Sequence, residues 1–535
     1  MKTMISSIIL ASCLALPLAS CSDSDAAPEQ KDWSTTTYFY SADAAMQDTY
    51  YKPTVGYVGD PMPFFDPVAG DFKVLYLQDF RPNPEGTYHP IWGVSTKDAA
   101  HYTSLGELVS CGTKKSQDAA IGTGSTIYDE SSKLYYTFYT GNKYLPTGDE
   151  SAQAVMVATS SDFKTWTKDR TFLLKGQDFG YDKNDFRDPF VFKGDDGKFH
   201  MLVSTKKGGK GSLAEFVSDD LKNWTDNGVF MTMMWDRFYE CPDLFKMGDY
   251  WYLVYSEIHH AVRRVQYFKG RTLDELKGCT ANDAGRWPDA HEGFLDSRGL
   301  YAGKTASDGT NRYLWGWCPT RSGKDNTAVG ASPAEPEWGG NLVCYKLIQH
   351  EDGTLTLGQV DAVSEKYNQD VAVEVKESQN MTEADGTYTL AGNAELPDAY
   401  MLMGRLGNHN KISFTVTTSN EWDKFGISMV RGSDSKKYYT MVVNPESENN
   451  RKVNFEEQGV EGKGFIAGID GYVFARPADN VYNITIYTDN SICVMYINDV
   501  CSYTNRIYGI QKNCWSIDSF NGANVKVSNL KISQY

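Results

Sequence analysis

The feature that most constrains the fold is an internal repeat. Five segments alternate aromatic and β-branched residues as strands do: "DFKVLYLQ" from Asp71, "KLYYTFYTG" from Lys133, "KFHMLVSTK" from Lys198, "YWYLVYSE" from Tyr250 and "NRYLWGW" from Asn311. Their starts lie roughly 50 to 65 residues apart, the period of β-propeller blades built from four short strands each. The residues just upstream repeat as well. "GDPMPFFDPVAGDFKVLY", "RDPFVFKGDDGKFHMLV" and "ECPDLFKMGDYWYLVY" superpose as Asp or Cys, Pro, an apolar strand, a Gly/Asp turn and the repeated strand. A second element recurs as "VATSSDFKTW" ending at Trp166 and "VSDDLKNW" ending at Trp224, with a degenerate copy from Val94. Its Ser-x-Asp stretch suits a tight turn, and its Trp suits packing between blades. The expected fold class is all-β, with a five-bladed β-propeller over residues 45–350. An irregular sandwich with accidental periodicity is the alternative.

From residue 351 to 535 the period is lost. "SEKYNQDVAVEVKESQNMTEADG" is polar and reads as a linker or an exposed strand pair. Short alternating strands follow, among them "NKISFTVTTS", "YNITIYTD", "SICVMYIND" and "NVKVSNLKIS", with Gly, Asn and Asp in the turns. This part is expected to be a C-terminal β-sandwich.

The net charge of −17, with no basic stripe, excludes nucleic acid as a partner. Residues 1–20 carry Lys2 and the apolar run "ISSIILASCLALPLA", too short to span a membrane and ending in a lipobox-like Leu18-Ala19-Ser20-Cys21. The expectation is a lipoprotein signal peptide, acylation at Cys21, and a polar tether over 21–44. That makes the chain an exported lipoprotein of the outer membrane, on its surface or periplasmic face, where other glycan-uptake proteins are possible neighbours. Beyond Cys21, eight cysteines show no CxxC spacing and no His cluster accompanies them, so no metal site is expected. Cys493 and Cys501 suit neighbouring strands, and buried thiols are the alternative to disulfides.

Superposing the repeats brings three acids to one point: Asp60 before Pro61, Asp188 before Pro189, and Glu240 one residue before Cys241-Pro242. Each stands where the innermost strand of a blade begins, so the three converge on the central channel. No Lys shares that phase. Clustered carboxylates repel one another, and one must titrate high. A calcium site would need more Asp and Asn at closer spacing. Glycosidic cleavage needs one carboxylate that attacks or activates water and one carboxylic acid that protonates the leaving oxygen.

"FRDPFVF" (Phe186 to Phe192) and "YECPDLF" (Tyr239 to Phe245) resemble the two most specific motifs of glycoside hydrolase family 32, the fructan- and sucrose-cleaving enzymes. "GYVGDP" from Gly56 lies where that family keeps a Trp-Met-Asn-Asp-Pro-Asn-Gly box. Further matches are Gln78, "TGS" at Thr123 to Ser125, "LDSRGLYAGK" from Leu295, "EWGGNL" from Glu337, and "IYTDNSICVMYINDV" near the C-terminus. The resemblance implies a five-bladed propeller followed by a β-sandwich, and a retaining hydrolase of β-fructofuranosidic bonds. By it, Asp60 is the nucleophile, Glu240 the acid and then base, and Asp188 the stabiliser of the oxocarbenium-like transition state. Arg187 is an orienting donor. Gln78, Tyr57, Trp92, Ser125 and Trp338 are substrate-binding residues. The partner is then a fructan or fructo-oligosaccharide, no metal or organic cofactor is required, and the Asp60 and Glu240 carboxyls should stand about 5–5.5 Å apart. Around the nucleophile, Tyr57 replaces the family's Trp, Gly59 and Met62 its two Asn, and Pro63 its Gly.

Trp235 is a further candidate for sugar stacking, and Asp296 and Tyr301 are expected to face the channel. His259-His260 lacks a nearby third ligand and reads as structural. Two other readings stay open on the residues alone. One is an inverting five-bladed glycosidase acting on arabinan or xylan, and the other is a non-catalytic glycan-binding surface lipoprotein.

Overall fold

The computed structural model describes residues 49–80, 89–233, 238–257, 264–279, 292–321, 324–326, 338–432, 437–445, 453–459 and 474–535. The signal peptide, Cys21, the tether, Trp235 and His259-His260 lie outside the described residues.

The repeats build five antiparallel sheets around one axis. The first holds β1 (Tyr57–Asp66), β2 (Asp71–Asp79), β3 (Ile91–Thr96) and β4 (Thr103–Val109). The second holds β5 (Ala120–Asp129), β6 (Leu134–Asn142), β7 (Gln153–Ser160) and β8 (Thr167–Lys168). In the third are β9 (Phe186–Lys193), β10 (Phe199–Lys207), β11 (Lys210–Ser218) and β12 (Thr225–Thr232). The fourth comprises β13 (Glu240–Met247), β14 (Tyr250–Glu257), β15 (Arg264–Gly270) and β16 (Glu292–Phe294). The fifth comprises β17 (Tyr301–Ser307), β18 (Arg312–Pro319), β19 (Gly340–Gln349) and β20 (Leu355–Gly358). A bridge between Val58 and Gly340 joins the first blade to the fifth, and the Leu342 amide adds a bond to the Tyr51 carbonyl at 2.8 Å. The repeated sequence segments are the second strands of the blades, buried on both faces, which explains their near-continuous apolar character.

Apolar wedges fill the gaps between blades. Tyr136, Phe138 and Val157 of the second blade pack on Phe186, Val203 and Phe216 of the third, with Trp224 edge-on to Phe138 at 5.6 Å. The recurring Ser-x-Asp stretches form one turn three times. Thr96, Ser160 and Ser218 each donate to the Asp two residues on, at 3.2, 3.0 and 3.1 Å. The residue after each Asp, Ala99, Phe163 or Leu221, then takes a left-handed φ near 60°.

The C-terminal part is a sandwich of two sheets. One runs through Met381–Ala384, Thr387–Ala391, Asn524–Gln534, His409–Thr418, Val481–Asp489, Ile492–Ile497 and Cys501–Arg506. The other runs through Val375–Gln379, Ala399–Arg405, Cys514–Phe520, Lys424–Met429, Tyr438–Val443 and Val453–Gln458. Trp515, Phe425, Met441 and Tyr503 lie in the core between them. The eight cysteines in the described residues are free thiols. Cys493 and Cys501 do lie on neighbouring strands, but their cross-strand partners are Asn505 and Ile497, so the register keeps them apart.

The sandwich docks on the fifth blade. Tyr487, Ile492, Val494 and Tyr496 share one core with Leu342, Tyr345, Leu355 and Val360. Polar groups lock the seam. The Arg506 guanidinium donates to the carbonyls of Pro319 (2.6 Å) and Cys318 (3.0 Å) and to Asn341 Oδ1 (2.6 Å). Asp296 accepts from the Thr504 amide, Thr504 Oγ1 and Ser502 Oγ, each at 2.8 Å, and from the Ser297 amide at 2.6 Å. Asp296 therefore faces the sandwich and not the channel, which corrects the sequence-based expectation.

Candidate active site

The site is made by a defect repeated in every blade. The innermost strands β1, β5, β9, β13 and β17 each shift register against the second strand at the same place. One extra residue is accommodated there, a β-bulge that re-aims side chains into the channel. Asp60, Thr123, Asp188, Cys241 and Ala302 occupy the bulges. Three of them, Asp188, Cys241 and Ala302, have left-handed φ values of 56°, 51° and 52°. A non-glycine residue in that region stores strain, and strain of this kind is concentrated at functional positions.

The bulges sort the channel side chains into three tiers. The bulge residues form one. Thr123 Oγ1 donates to Asp60 Oδ2 at 2.8 Å, and the Cys241 amide donates to Asp188 Oδ2 at 2.9 Å. The Trp317 indole N–H, from β18, donates to Asp60 Oδ1 at 2.9 Å. Both oxygens of Asp60 are thus held by donors that favour negative charge.

The residues one position earlier form the second tier: Gly59, Gly122, Arg187, Glu240 and Tyr301. Arg187 Nη2 pairs with Glu240 Oε1 at 3.0 Å, and the Tyr301 hydroxyl donates to Glu240 Oε2. Arg187 also pairs with Asp185 at 2.8 Å and lies over the Phe238 ring at 3.8 Å. Glu240 therefore sits one step off the phase of Asp60 and Asp188, a distinction that the cross-strand register shows.

Two positions beyond the bulge, the third tier comprises Met62, Ser125, Phe190, Asp243 and Lys304. Lys304 is 2% exposed, and its ammonium donates to the Gly124 carbonyl at 2.7 Å. No lysine shares the repeat phase of the acids; Lys304 stands two positions beyond it, in the tier beneath. Asp243 accepts from the Thr305 amide (2.7 Å) and hydroxyl (2.6 Å).

Electrostatics follow from enclosure. Burial pushes the Asp188 carboxyl up to about 6; Arg187 opposes that rise, and Glu240 and Asp60 add to it. Burial works against the Arg187 charge, yet Glu240 and Asp188 outweigh it and hold the guanidinium pKa above its ordinary value. The Cys241 thiol is pushed well up by burial and by Asp60 and Asp188, so it is no nucleophile.

The other sequence-predicted residues divide. Trp338, half-buried, stacks on His89 at 4.2 Å and lies 6.1 Å from Trp317. Its ring occupies the space beside Gly59: a Cβ there would meet Trp338 at 2.1 Å. The glycine that replaces the family's Asn thus admits an aromatic wall next to the nucleophile. Tyr57, also half-buried, carries the Lys52 ammonium 4.5 Å over its ring. Ser125 is buried and joins two blades, donating to the Pro189 carbonyl and accepting from the Val191 amide, each at 2.9 Å. Its neighbour Thr123 is the member of that stretch that reaches the nucleophile. Gln78 is fully buried and donates to the Val55 carbonyl. Trp92 packs on the core of the first and fifth blades, 6.0 Å from Phe80. Thr123, Trp317 and Lys304 escaped the sequence reading.

Fold and site together define a five-bladed propeller glycosidase. The family model for the N-terminal domain of glycosyl hydrolases family 32 matches residues 50–360, and that for the GH32, BT1760-like, C-terminal domain matches 353–532. The chain belongs to glycoside hydrolase family 32. It is 26% identical over 310 residues to the insoluble β-fructofuranosidase isoenzyme CWINV2 of Arabidopsis thaliana, covering 52% of this chain and 50% of that protein. Its identity to the fructan 6-exohydrolase of Beta vulgaris is 26% over 171 residues, or 29% of this chain and 27% of the relative. The chain thus matches about half the length of the curated relatives or less. Solved structures agree in fold across both domains. The Bombyx mori β-fructofuranosidase BmSUC1 superposes with a TM-score of 0.66 at 16% identity, covering 91% of this chain and 93% of that one. The exo-inulinase of Aspergillus awamori superposes with 0.66 at 16%, covering 91% and 98%.

Proposed function

We propose that this protein is a retaining glycoside hydrolase of β-fructofuranosidic bonds in levan, inulin or fructo-oligosaccharides. The observation that carries the reading is the opposed support of two carboxylates. Asp60 is held by Thr123 and Trp317, Glu240 by Arg187 and Tyr301, and Asp188 accepts from the Cys241 amide. Asp60 attacks the anomeric carbon of the fructofuranosyl unit while Glu240 gives its proton to the departing oxygen. The resulting fructosyl ester of Asp60 is then cleaved by water, whose proton passes to Glu240. Asp188 binds sugar hydroxyls and steadies positive charge at the ring oxygen and anomeric carbon in the transition state. The arabinan or xylan reading loses its basis with the family assignment. Two individually braced carboxylates speak against a channel that only binds.

The test is reducing-sugar release from levan, inulin, sucrose and arabinan, with Asp60→Asn and Glu240→Gln as controls. Fructose or fructo-oligosaccharides from at least one fructoside, and nothing from arabinan, is the expected outcome. Release from arabinan alone, or from none, defeats the reading. Fructose alone over time identifies exo cleavage, and a ladder of oligomers identifies endo cleavage.

For location, the lipobox-like stretch before Cys21 supports an acylated outer-membrane protein that meets its substrate outside the cytoplasm. Labelling with a radioactive fatty acid, lost in Cys21→Ala, tests the anchor. Protease access on intact cells distinguishes the surface from the periplasmic face.

A further inference from the structure

The rim of the channel is uneven. In the second blade the first residue of β5, Ala120, pairs with Asn142 at the end of β6, and Asn142 pairs in turn with Gln153 at the start of β7. Residues 143–152 therefore leave the blade at the end where the inner strands begin. That end is the mouth, because the tier of Arg187 and Glu240 precedes the bulges and stands nearer to it than Asp60 and Asp188. The third blade makes the same connection in two residues, Gly208 and Gly209. One sector of the mouth thus carries a raised loop, and the next is low.

The raised loop is wired to the acid–base tier. Gln153 Oε1 accepts from the Phe186 amide at 3.1 Å and from Arg187 Nη1 at 3.4 Å, while Gln153 Nε2 donates to Asn142 Oδ1 at 3.0 Å. Above that base the loop is well braced. The Lys143 amide donates to the Ala152 carbonyl at 2.9 Å, and the Lys143 ammonium pairs with Glu150 at 2.8 Å. Lys183 donates to the Gly148 carbonyl at 2.8 Å, and Gln177 to the Asp149 carbonyl at 3.0 Å.

Its tip differs in character. Tyr144 and Leu145 are 42% and 72% exposed, and the Lys114 ammonium lies 5.7 Å from the Tyr144 ring. Leu145 has a left-handed φ of 48°, a strained conformation for a branched side chain. Two adjacent apolar side chains held in water by a braced loop, one of them under strain, mark a binding surface. The direction of the chemistry says what it meets. The fructosyl unit that bonds to Asp60 sits deep, and Glu240 protonates the departing oxygen from the tier nearer the mouth. The rest of the sugar chain therefore leaves across the rim.

We propose that Tyr144 and Leu145 form an outer sugar-binding site, which holds fructosyl units of a fructan chain beyond the bond being cleaved. The tyrosine ring offers a flat apolar face to the sugar C–H groups and a hydroxyl to their oxygens, and the braced loop presents both side chains without ordering on binding. This rests on the hydrolase reading above.

The test compares Tyr144→Ala and Leu145→Gly with the wild type on two substrates: the fructan polymer cleaved fastest, and the shortest fructoside cleaved. Tyr144→Ala should lower kcat/KM on the polymer by about tenfold and on the short fructoside by less than about twofold. Leu145→Gly should lower it on the polymer alone, by about threefold, with Tm unchanged or raised, because glycine takes a positive φ without strain. Equal losses on both substrates would mean that the loop acts only through Arg187, and they overturn the proposal, as does no loss on either. A changed sedimentation of Tyr144→Ala with unchanged polymer kinetics assigns the tip to a protein contact and also overturns it. A wild type that cleaves no fructoside defeats the hydrolase reading, and affinity electrophoresis in levan and inulin gels then decides the loop. Retardation of the wild type that Tyr144→Ala loses supports the site; equal retardation, or none, counts against it.

Discussion

Asp188 in the channel and Asp296 at the seam between propeller and sandwich are both fully enclosed, and burial raises the pKa of both. Their surroundings differ in kind. Asp296 accepts four hydrogen bonds, two from backbone amides and two from hydroxyls, so its charge is met within the protein. Asp188 accepts one, from the Cys241 amide, and shares its tier with a second carboxylate. A carboxylate that fastens two domains is saturated, whereas one that must meet a substrate keeps acceptor capacity in reserve. The reserve is held at a cost in stability, and the left-handed backbone at Asp188 adds to that cost.

The comparison can be broken in several ways. Asp60→Asn or Glu240→Gln should lower kcat by about 10³-fold or more, with Tm nearly unchanged, because catalysis depends on those groups and folding does not. A comparable fall in Tm would place them with Asp296. Asp296→Ala strips the acceptor from the buried Ser297 and Thr504 amides, leaves the Ser502 and Thr504 hydroxyls only the Leu295 carbonyl and the Tyr345 hydroxyl, and should destabilise by roughly 3–5 kcal/mol, read by denaturant unfolding. Molecules that remain folded should keep their turnover.

Asp188→Asn carries a sign as well as a size. The folded carboxyl is pushed up to about 6, above its ordinary 3.8, so its ionisation costs stability as pH rises from about 4 to about 6, and the cost is constant above that. Removing the charge should therefore raise stability above that pH, by on the order of 2 kcal/mol, with the gain vanishing near pH 4. Activity should fall by at least about 10²-fold. A uniform loss of stability at every pH would make Asp188 structural. The smallest effect is expected from Ser125→Ala, which removes two bonds between the second and third blades: about 1–2 kcal/mol, with turnover intact.

The propeller was legible because each second strand, buried on both faces, writes the same aromatic and β-branched run into the chain. The acids were legible because Pro follows them, or follows one residue later, and marks the strand start. The bulges were not, since a register shift is a property of two strands and shows in neither alone. The bulge at Thr123 brings its hydroxyl to Asp60, while Ser125, two residues on, is bonded to Pro189 and Val191 of the next blade. Lys304 lay inside the quoted "LYAGK", but the fifth blade has no acid-Pro pair to anchor a superposition. Its partner, Gly124, is also 180 residues away. Asp296 was misplaced for the same reason, because its partners Ser502 and Thr504 lie beyond the whole linker.

The central claim is that Asp60 forms a covalent fructosyl ester, and its most direct test is mass spectrometry of the quenched enzyme. Glu240→Gln, loaded with a fructoside bearing an activated leaving group, should accumulate the adduct because its breakdown lacks a base. The account expects the mass of one fructosyl residue on the peptide that contains Asp60, and none in Asp60→Asn. An adduct on another residue, or turnover that inverts the anomeric configuration, would contradict it.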